Sequence, residues 1–577
     1  MFISNKIKNL IGHKKIVKFN LIIFFTVFIA IIETAGIGMI IPMVNIILNP
    51  DYVEKIRELI PYLKNFSVSQ NIIILLALVW IIFLVKNLMY IFYIYISNKF
   101  NQNIRRDLAK KLYNNFVGQK YIFHLNNSSV ELVKNINLDL EDLRFSLYHF
   151  FIGIAEVFIT IMIMALLLTF NFYATLIIIL LLTLVFLFYN FFLKNTSKIK
   201  GQEIFESMTF LQRHVKETLS NIKLIKIFST KDFFLEEFNK HNDNFTKNRL
   251  MIDVIVNVPR AVIEITVVTL IVFYYLLTYD YTNPTSLFSS IGLYALAFFR
   301  LMPAFNRMIS AYSYKNILLH TTTKIHNIFV LSEISNNDLG HKLIKESIES
   351  KNENKIKDIK FENVSFAYDE KKILDGINLD IKRQEFVGII GESGAGKSTL
   401  LNLLLGLLKP DEGNVIFNNK YEIFNNLEIF NKKISYVPQN ISILERSIKE
   451  NIAFGVSKEK IDMDKINQII EKTKLGKLIS KMEFGLDTVI NSDNLNISGG
   501  ELQRIGLARA LYFDSDLLIM DEATNSLDNF TESEILEMIY ENFLGKKIIL
   551  FITHKLQNLE KANVIYKISN KKIEKIR

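Results

Sequence analysis

Long apolar runs alternate with polar stretches over the first 312 residues and then stop. The runs are Phe19–Ile47, Asn71–Ile96, Tyr148–Phe170, Tyr173–Phe192, Val258–Tyr279 and Leu287–Tyr312. Each is long enough to cross a hydrocarbon layer of about 30 Å as a helix. Six crossings put both chain ends on one side of the membrane. The connections are unequal. Asn171 alone separates Phe170 from Phe172, and Thr278–Ser286 joins the fifth run to the sixth. About 50 residues separate the second run from the third, and about 65 the fourth from the fifth. These long connections hold few Gly or Pro and carry Lys, Glu and Leu at helical spacing, which predicts helices continuing beyond the membrane. Each is expected to end in a short cross-piece, near Gln119–Ser128 and near Asn221–Phe228. Within Asn49–Phe66, apolar residues recur at Tyr52, Val53, Ile56, Ile60 and Leu63 among charges. That pattern fits an amphipathic helix at the outer interface, or an ordinary packed loop helix.

From Ser332 to Lys357 the chain turns polar, which reads as a linker. Short β-branched and aromatic runs follow, Phe361–Tyr368 and Leu379–Ile390, and then mix with helical patterns. The predicted organisation is multidomain: an all-α, six-helix membrane domain over residues 1–330, a linker over 331–357, and an α/β domain over 358–577.

Composition sharpens this. Hydrophobic residues make up 50% and charged residues 22%, an average over two unlike halves. The net charge of +10 fits basic cytoplasmic loops, and no nucleic-acid-reading motif accompanies it. With no Cys, disulfides and thiolate metal sites are excluded. Lys6, Lys8, Lys14, Lys15 and Lys18 precede the first apolar run, which is too long for a signal-peptide core, so this leader is expected to stay in the cytoplasm.

The chemistry sits in the second half. Gly391-Glu-Ser393-Gly394-Ala-Gly396-Lys397-Ser398 matches G-x-x-x-x-G-K-[ST], after the expected strand Phe386–Ile390 and before an apolar helix from Thr399. Such a loop wraps phosphates with backbone N–H groups at a helix N-terminus. Lys397 would reach the β- and γ-phosphates of ATP, and Ser398 would ligate Mg²⁺. About 130 residues after Gly391, Leu517-Leu-Ile-Met-Asp521-Glu522 reads as a buried strand ending in two acids. Asp521 would hold Mg²⁺ and Glu522 would act as general base on water.

Ile497-Ser498-Gly499-Gly500-Glu501, between those motifs, resembles the LSGGQ signature of the ATP-binding-cassette superfamily. The resemblance implies further roles. Ser498, Gly499 and Gly500 would contact the γ-phosphate held by a second copy. Gln439 would link Mg²⁺ to the membrane domain, His554 would contact the γ-phosphate, and Tyr368 would stack on adenine. Asn525-Ser526-Leu527-Asp528 resembles the D-loop. One phosphate loop and one signature per chain imply a homodimer. The departures are Glu501 for the usual Gln, Asn525 for the usual Ser, and an altered stretch Thr488–Asp493; Lys397, Asp521, Glu522 and His554 are retained, so an active ATPase is expected.

Charges inside the apolar runs bear on cargo. Lys86, Arg260, Arg300 and Arg307 are the cations, and Glu33, Glu156 and Glu264 the acids. Ionisable residues at that depth face a cavity or a partner. Arg260 and Glu264 are spaced to neutralise each other, and Glu33 is a candidate partner for Arg300 and Arg307. A cationic lining suits an anionic, phosphate-bearing cargo. The runs Ile32–Pro42, Val258-Pro-Arg260 and Arg300-Leu-Met-Pro-x-x-Asn-Arg307 resemble the bacterial lipid-linked-oligosaccharide flippases of N-linked glycosylation, the PglK type. That resemblance implies an exporter-type domain in the bacterial cytoplasmic membrane, moving a polyprenyl-pyrophosphate-linked glycan to the outer leaflet. The alternatives are a general lipid or multidrug exporter, and a membrane regulator that binds ATP without cleaving it.

Overall fold

A computed structural model describes residues 13–48, 65–170, 172–278, 284–338, 355–491, 497–513, 515–524 and 527–577. The chain divides into two compact units, an all-helical one within residues 1–345 and an α/β one whose main segment is Glu346–Arg577.

In the helical unit a helix covers each apolar run over its described residues. These are α1 (His13–Leu48), α2 (Val68–Gly118), α5 (Leu140–Phe170), α6 (Phe172–Phe188, continued by a π-helical turn to Leu193), α9 (Lys231–Thr278) and α10 (Pro284–Ile317). Among the described residues, four stretches are long and apolar enough to cross a membrane: Lys15–Ala35, Ser69–Gly118, Ser129–Thr169 and Thr175–Ser220. The helices outrun their apolar cores, as the polar spacing predicts; α2 has 51 residues. Both cross-pieces are present as short helices, α3 (Tyr121–Asn126) and α8 (Ile222–Ile227). Between them lie α4 (Ser129–Lys134) and α7 (Lys194–Ser220). Segment 49–64, the expected interfacial helix, lies outside the described residues. One expectation is corrected. The polar stretch after Ser332 does not begin as a linker, because α11 (Leu319–Asp338) carries helix through Asp338.

Apolar surface on α5 organises the unit, which packs against α1, α2 and α10. Phe19, Phe100 and Phe151 meet there, with Phe19–Phe151 centroids 4.9 Å apart, and all three are buried. Where α7 crosses the end of α10, a Cβ on Gly201 would lie 2.7 Å from the Ile317 carbonyl oxygen, so only glycine permits the approach.

The α/β unit opens with a four-stranded antiparallel sheet. Its order is β2 (Lys371–Lys382), β1 (Asp358–Tyr368), β4 (Glu412–Phe417), β5 (Tyr421–Glu422). A six-stranded sheet follows in the order β12 (Lys572–Lys575), β11 (Val564–Ser569), β3 (Phe386–Gly391), β10 (Ile548–Ile552), β9 (Leu517–Asp521), β6 (Ile434–Val437). All but β12 run parallel. The run Leu379–Ile390, expected as one strand, is two: Gln384 takes φ 62° in a turn that ends β2 and starts β3. The central strands are apolar on both faces, as a covered parallel sheet requires; β10 is buried at every position. A third cluster around Ile448, Ile466, Leu478 and Ile505 forms a helical lobe, which contains α13 (Gly499–Tyr512). Strands β7 (Arg446–Ser447) and β8 (Val489–Ile490) make a short ribbon in that lobe.

Candidate nucleotide site and intramembrane charges

Register explains why residues far apart in sequence converge. Ile552 of β10 lies opposite both Ile389 of β3 and Asp521 of β9, and Met520 of β9 lies opposite Val437 of β6. The phosphate loop, Asp521–Glu522, His554 and Gln439 therefore all leave the carboxyl ends of neighbouring parallel strands, where open α/β sheets bind ligands. Helix α12 (Lys397–Leu404) starts from the loop, with Gly396 at φ 104° and Gly394 at φ 82°. Those left-handed backbones are what glycine supplies.

Lys397 is buried, and its Nζ donates to the carbonyls of Gly391 (2.9 Å) and Glu392 (3.1 Å). The same ammonium lies 3.6 Å from Glu522 Oε1 and 3.1 Å from His554 Nε2. His554 Nε2 is 2.7 Å from Glu522 Oε1, and Gln439 Nε2 donates to Glu522 Oε2 at 3.2 Å. Glu522 sits at φ 48° and its N–H is tied to the Ile552 carbonyl, so its backbone is held in a sparsely populated region. Lys397, Gln439, Glu522 and His554 thus lie within 3.6 Å of one another through Glu522. Tyr368 lies half-buried at the end of β1, its ring edge-on to Phe366 at 5.0 Å. Ser393 is exposed on the loop, and in the first turn of α12 Ser398 is exposed and Thr399 buried.

The donor set of Ser398, Gln439 and Asp521 is hydroxyl, amide oxygen and carboxylate. All are hard oxygen ligands with a single charge, which fits Mg²⁺ shared with phosphates. Among the described residues no group of three His, Cys, Asp or Glu is placed to hold a metal ion by itself. Burial, with Glu522 beside it, pushes the Asp521 carboxyl up, and Tyr436 and Lys397 oppose that shift. Tyr436 is the residue the sequence reading missed. Its hydroxyl donates to Asp521 Oδ2 at 3.4 Å from the adjacent strand β6. The available signal was its place three residues before Gln439.

The signature begins α13. Ser498 is its N-cap, exposed beside exposed Gly499. Gly500 is buried, and a Cβ there would lie 2.6 Å from Thr531 Cγ2, so packing alone requires this glycine. Asn525 and Ser526 of the D-loop-like run, and residues 492–496 before the signature, lie outside the described residues.

In the helical unit three of the four candidate cations join one network. Arg300 donates to Glu33 through Nη2 (2.7 Å) and Nε (2.8 Å), and its Nη1 lies 3.5 Å from Glu156. Arg307 Nε donates to Glu156 at 2.6 Å, and Lys86 Nζ is 3.8 Å from Glu33. Arg260 stands apart, paired with Glu264 at 3.0 Å on an exposed face. The expected cationic lining is therefore largely self-paired. Glu156, 4% exposed, is the bridging acid to which the sequence reading gave no role.

Comparison with known families decides the identity. Residues 19–311 match the model for the ABC transporter transmembrane region, and residues 374–525 match the model described as ABC transporter. The chain belongs to the ABC transporters. An export ATP-binding/permease protein of Rickettsia felis is 29% identical over 387 residues, covering 64% of this chain and 62% of that protein. The ATP-dependent lipid A-core flippase of Ralstonia nicotianae is 33% identical over 211 residues, 36% of each chain. The matched part of this ABC transporter thus spans less than two thirds of those relatives. A solved structure of a bacterial Atm1-family ABC exporter with ATP bound shares the fold, with TM-score 0.73 at 19% identity over 97% of this chain and 95% of that one.

Proposed function

We propose that this ABC transporter is one half of an ATP-driven exporter that works as a homodimer with twelve membrane spans and both termini in the cytoplasm. One observation carries the reading: a lysine, a glutamate, a histidine and a glutamine meet at the carboxyl edge of one parallel sheet, beside a glycine-rich loop. Glu522, at the carboxyl edge of the sheet beside the phosphate loop, would take a proton from water. His554 and Gln439, each in contact with it, hold its carboxylate in place. Mg²⁺, when bound with ATP, supplies charge neutralisation at the phosphates. Ser498 of the second copy completes the site. The test is ATP hydrolysis by the purified protein in lipid. Glu522→Gln should lower the rate at least about a hundredfold, the contribution of a general base. Equal measurable rates would remove Glu522 as the base, and no hydrolysis above background in either protein would leave the non-hydrolysing regulator as the better reading.

For cargo we propose an anionic lipid-linked molecule, of which a polyprenyl-pyrophosphate-linked oligosaccharide is the form favoured by the Arg300–Arg307 run. Arg307 supports this: its side chain is 41% exposed and has one acidic partner, so it can add a phosphate contact. A general lipid or drug exporter is the second reading, favoured by the two buried glutamates that offset most of the positive charge. Liposomes with a labelled pyrophosphate-linked glycolipid separate the two. Flipping with ATP that weakens in Arg307→Ala supports the first; normal flipping in that variant, or none in the active ATPase, supports the second.

A further inference from the structure

Among the described residues, three helices begin with a serine N-cap and an acid or amide three residues on, forming reciprocal capping boxes. They differ in what the serine hydroxyl does. In the Ser67–Gln70 box, the amide oxygen accepts from the Ser67 backbone N–H at 3.0 Å, while the Ser67 hydroxyl pairs with Ser69 at 3.1 Å. In the Ser447–Glu450 box, one carboxylate oxygen takes both the backbone N–H (3.1 Å) and the hydroxyl (2.6 Å) of Ser447. The signature box is of the second kind. Glu501 Oε2 accepts from the Ser498 N–H at 2.8 Å and from the Ser498 hydroxyl at 2.9 Å, and the Glu501 N–H donates back to Ser498 Oγ at 3.3 Å.

A serine hydroxyl has one proton to donate. Phosphate oxygens only accept. With its proton on a carboxylate, Ser498 presents lone pairs, and a fixed negative charge stands behind it. The nearest cation to Glu501 is Lys481, 4.0 Å away on an exposed side chain, so that charge is weakly offset. A glutamine at this position keeps the backbone half of the box, as Gln70 does, and brings no charge to hold the hydroxyl proton. We infer that Glu501 is a brake on the composite ATP site. It holds the Ser498 hydroxyl proton in a hydrogen bond, and the nucleotide of the second copy must draw that hydrogen bond away to engage the serine. The inference rests on the two-copy ATP site proposed above.

The experiment uses the full-length protein in lipid with Mg²⁺ and ATP. One arm reads the ATP concentration giving half-maximal hydrolysis. The other reads half-maximal retention of labelled ATP in a Glu522→Gln background, which is independent of turnover. Glu501→Gln should lower both about tenfold, the size of one charge-assisted hydrogen bond. In a Ser498→Ala background the same change should yield almost no gain, because no hydroxyl remains to release. Unchanged or higher half-saturation in Glu501→Gln overturns the brake, and so does an equal gain without Ser498. If every variant neither retains nor cleaves ATP, the two-copy site falls and the brake with it. Melting temperatures of the ATP-free proteins should agree, since the backbone half of the box persists.

Discussion

Arg300→Met should destabilise the helical unit far more than Arg307→Met, although both remove one arginine from one helix face. Arg300 is the hub: it donates two hydrogen bonds to Glu33 and reaches Glu156, and the side chains of Arg300, Glu33 and Glu156 are 20%, 10% and 5% exposed. Removing it leaves Glu33 facing Lys86 alone at 3.8 Å. Breaking a buried ion pair by deleting one partner costs about 3–5 kcal/mol, most of it the penalty on the charge left behind. Arg307 is 41% exposed, so water replaces much of what it supplies, and Arg300 still reaches Glu156. Its loss should cost about 1 kcal/mol. The assay is thermal unfolding in detergent at pH 7, read by tryptophan-independent aggregation or circular dichroism. A double substitution decides the cause. Adding Glu33→Gln to Arg300→Met should restore most of the loss, a coupling of about 2–3 kcal/mol. Equal melting temperatures for the two single variants would refute the hub, and so would no recovery in the double variant.

Two further outcomes are expected. Gly201→Ala forces a methyl within 2.7 Å of the Ile317 carbonyl oxygen, and should lower stability by about 1–3 kcal/mol with shifted helices α7 and α10, measured by melting temperature. Tyr436→Phe removes a hydroxyl that donates to Asp521, and should raise the Mg²⁺ concentration needed for half-maximal ATP retention several-fold while leaving retention at saturating Mg²⁺ intact.

Sequence alone determined whatever is encoded by local periodicity or by contiguous chemistry. The apolar runs fixed where helices lie, because a segment in lipid satisfies its backbone only by bonding internally. The short helices Tyr121–Asn126 and Ile222–Ile227 stand where cross-pieces are expected, at the ends of helices that run on beyond the membrane. The phosphate loop was legible because its glycines, lysine and serine are adjacent, and the chemistry needs them so. What only the tertiary structure decided depends on pairing across the chain. The turn at Gln384 split one apolar run into two strands, since an apolar stretch carries no mark of the sheet to which each half belongs. Tyr436 met Asp521 only through the parallel register of β6 on β9. Glu156 became the bridge between Arg300 and Arg307 because α5 packs on α10, a contact between residues about 150 apart that no local pattern records. The charges could be counted from the sequence, but which of them neutralise each other depends on distance, and distance is set by how the helices pack.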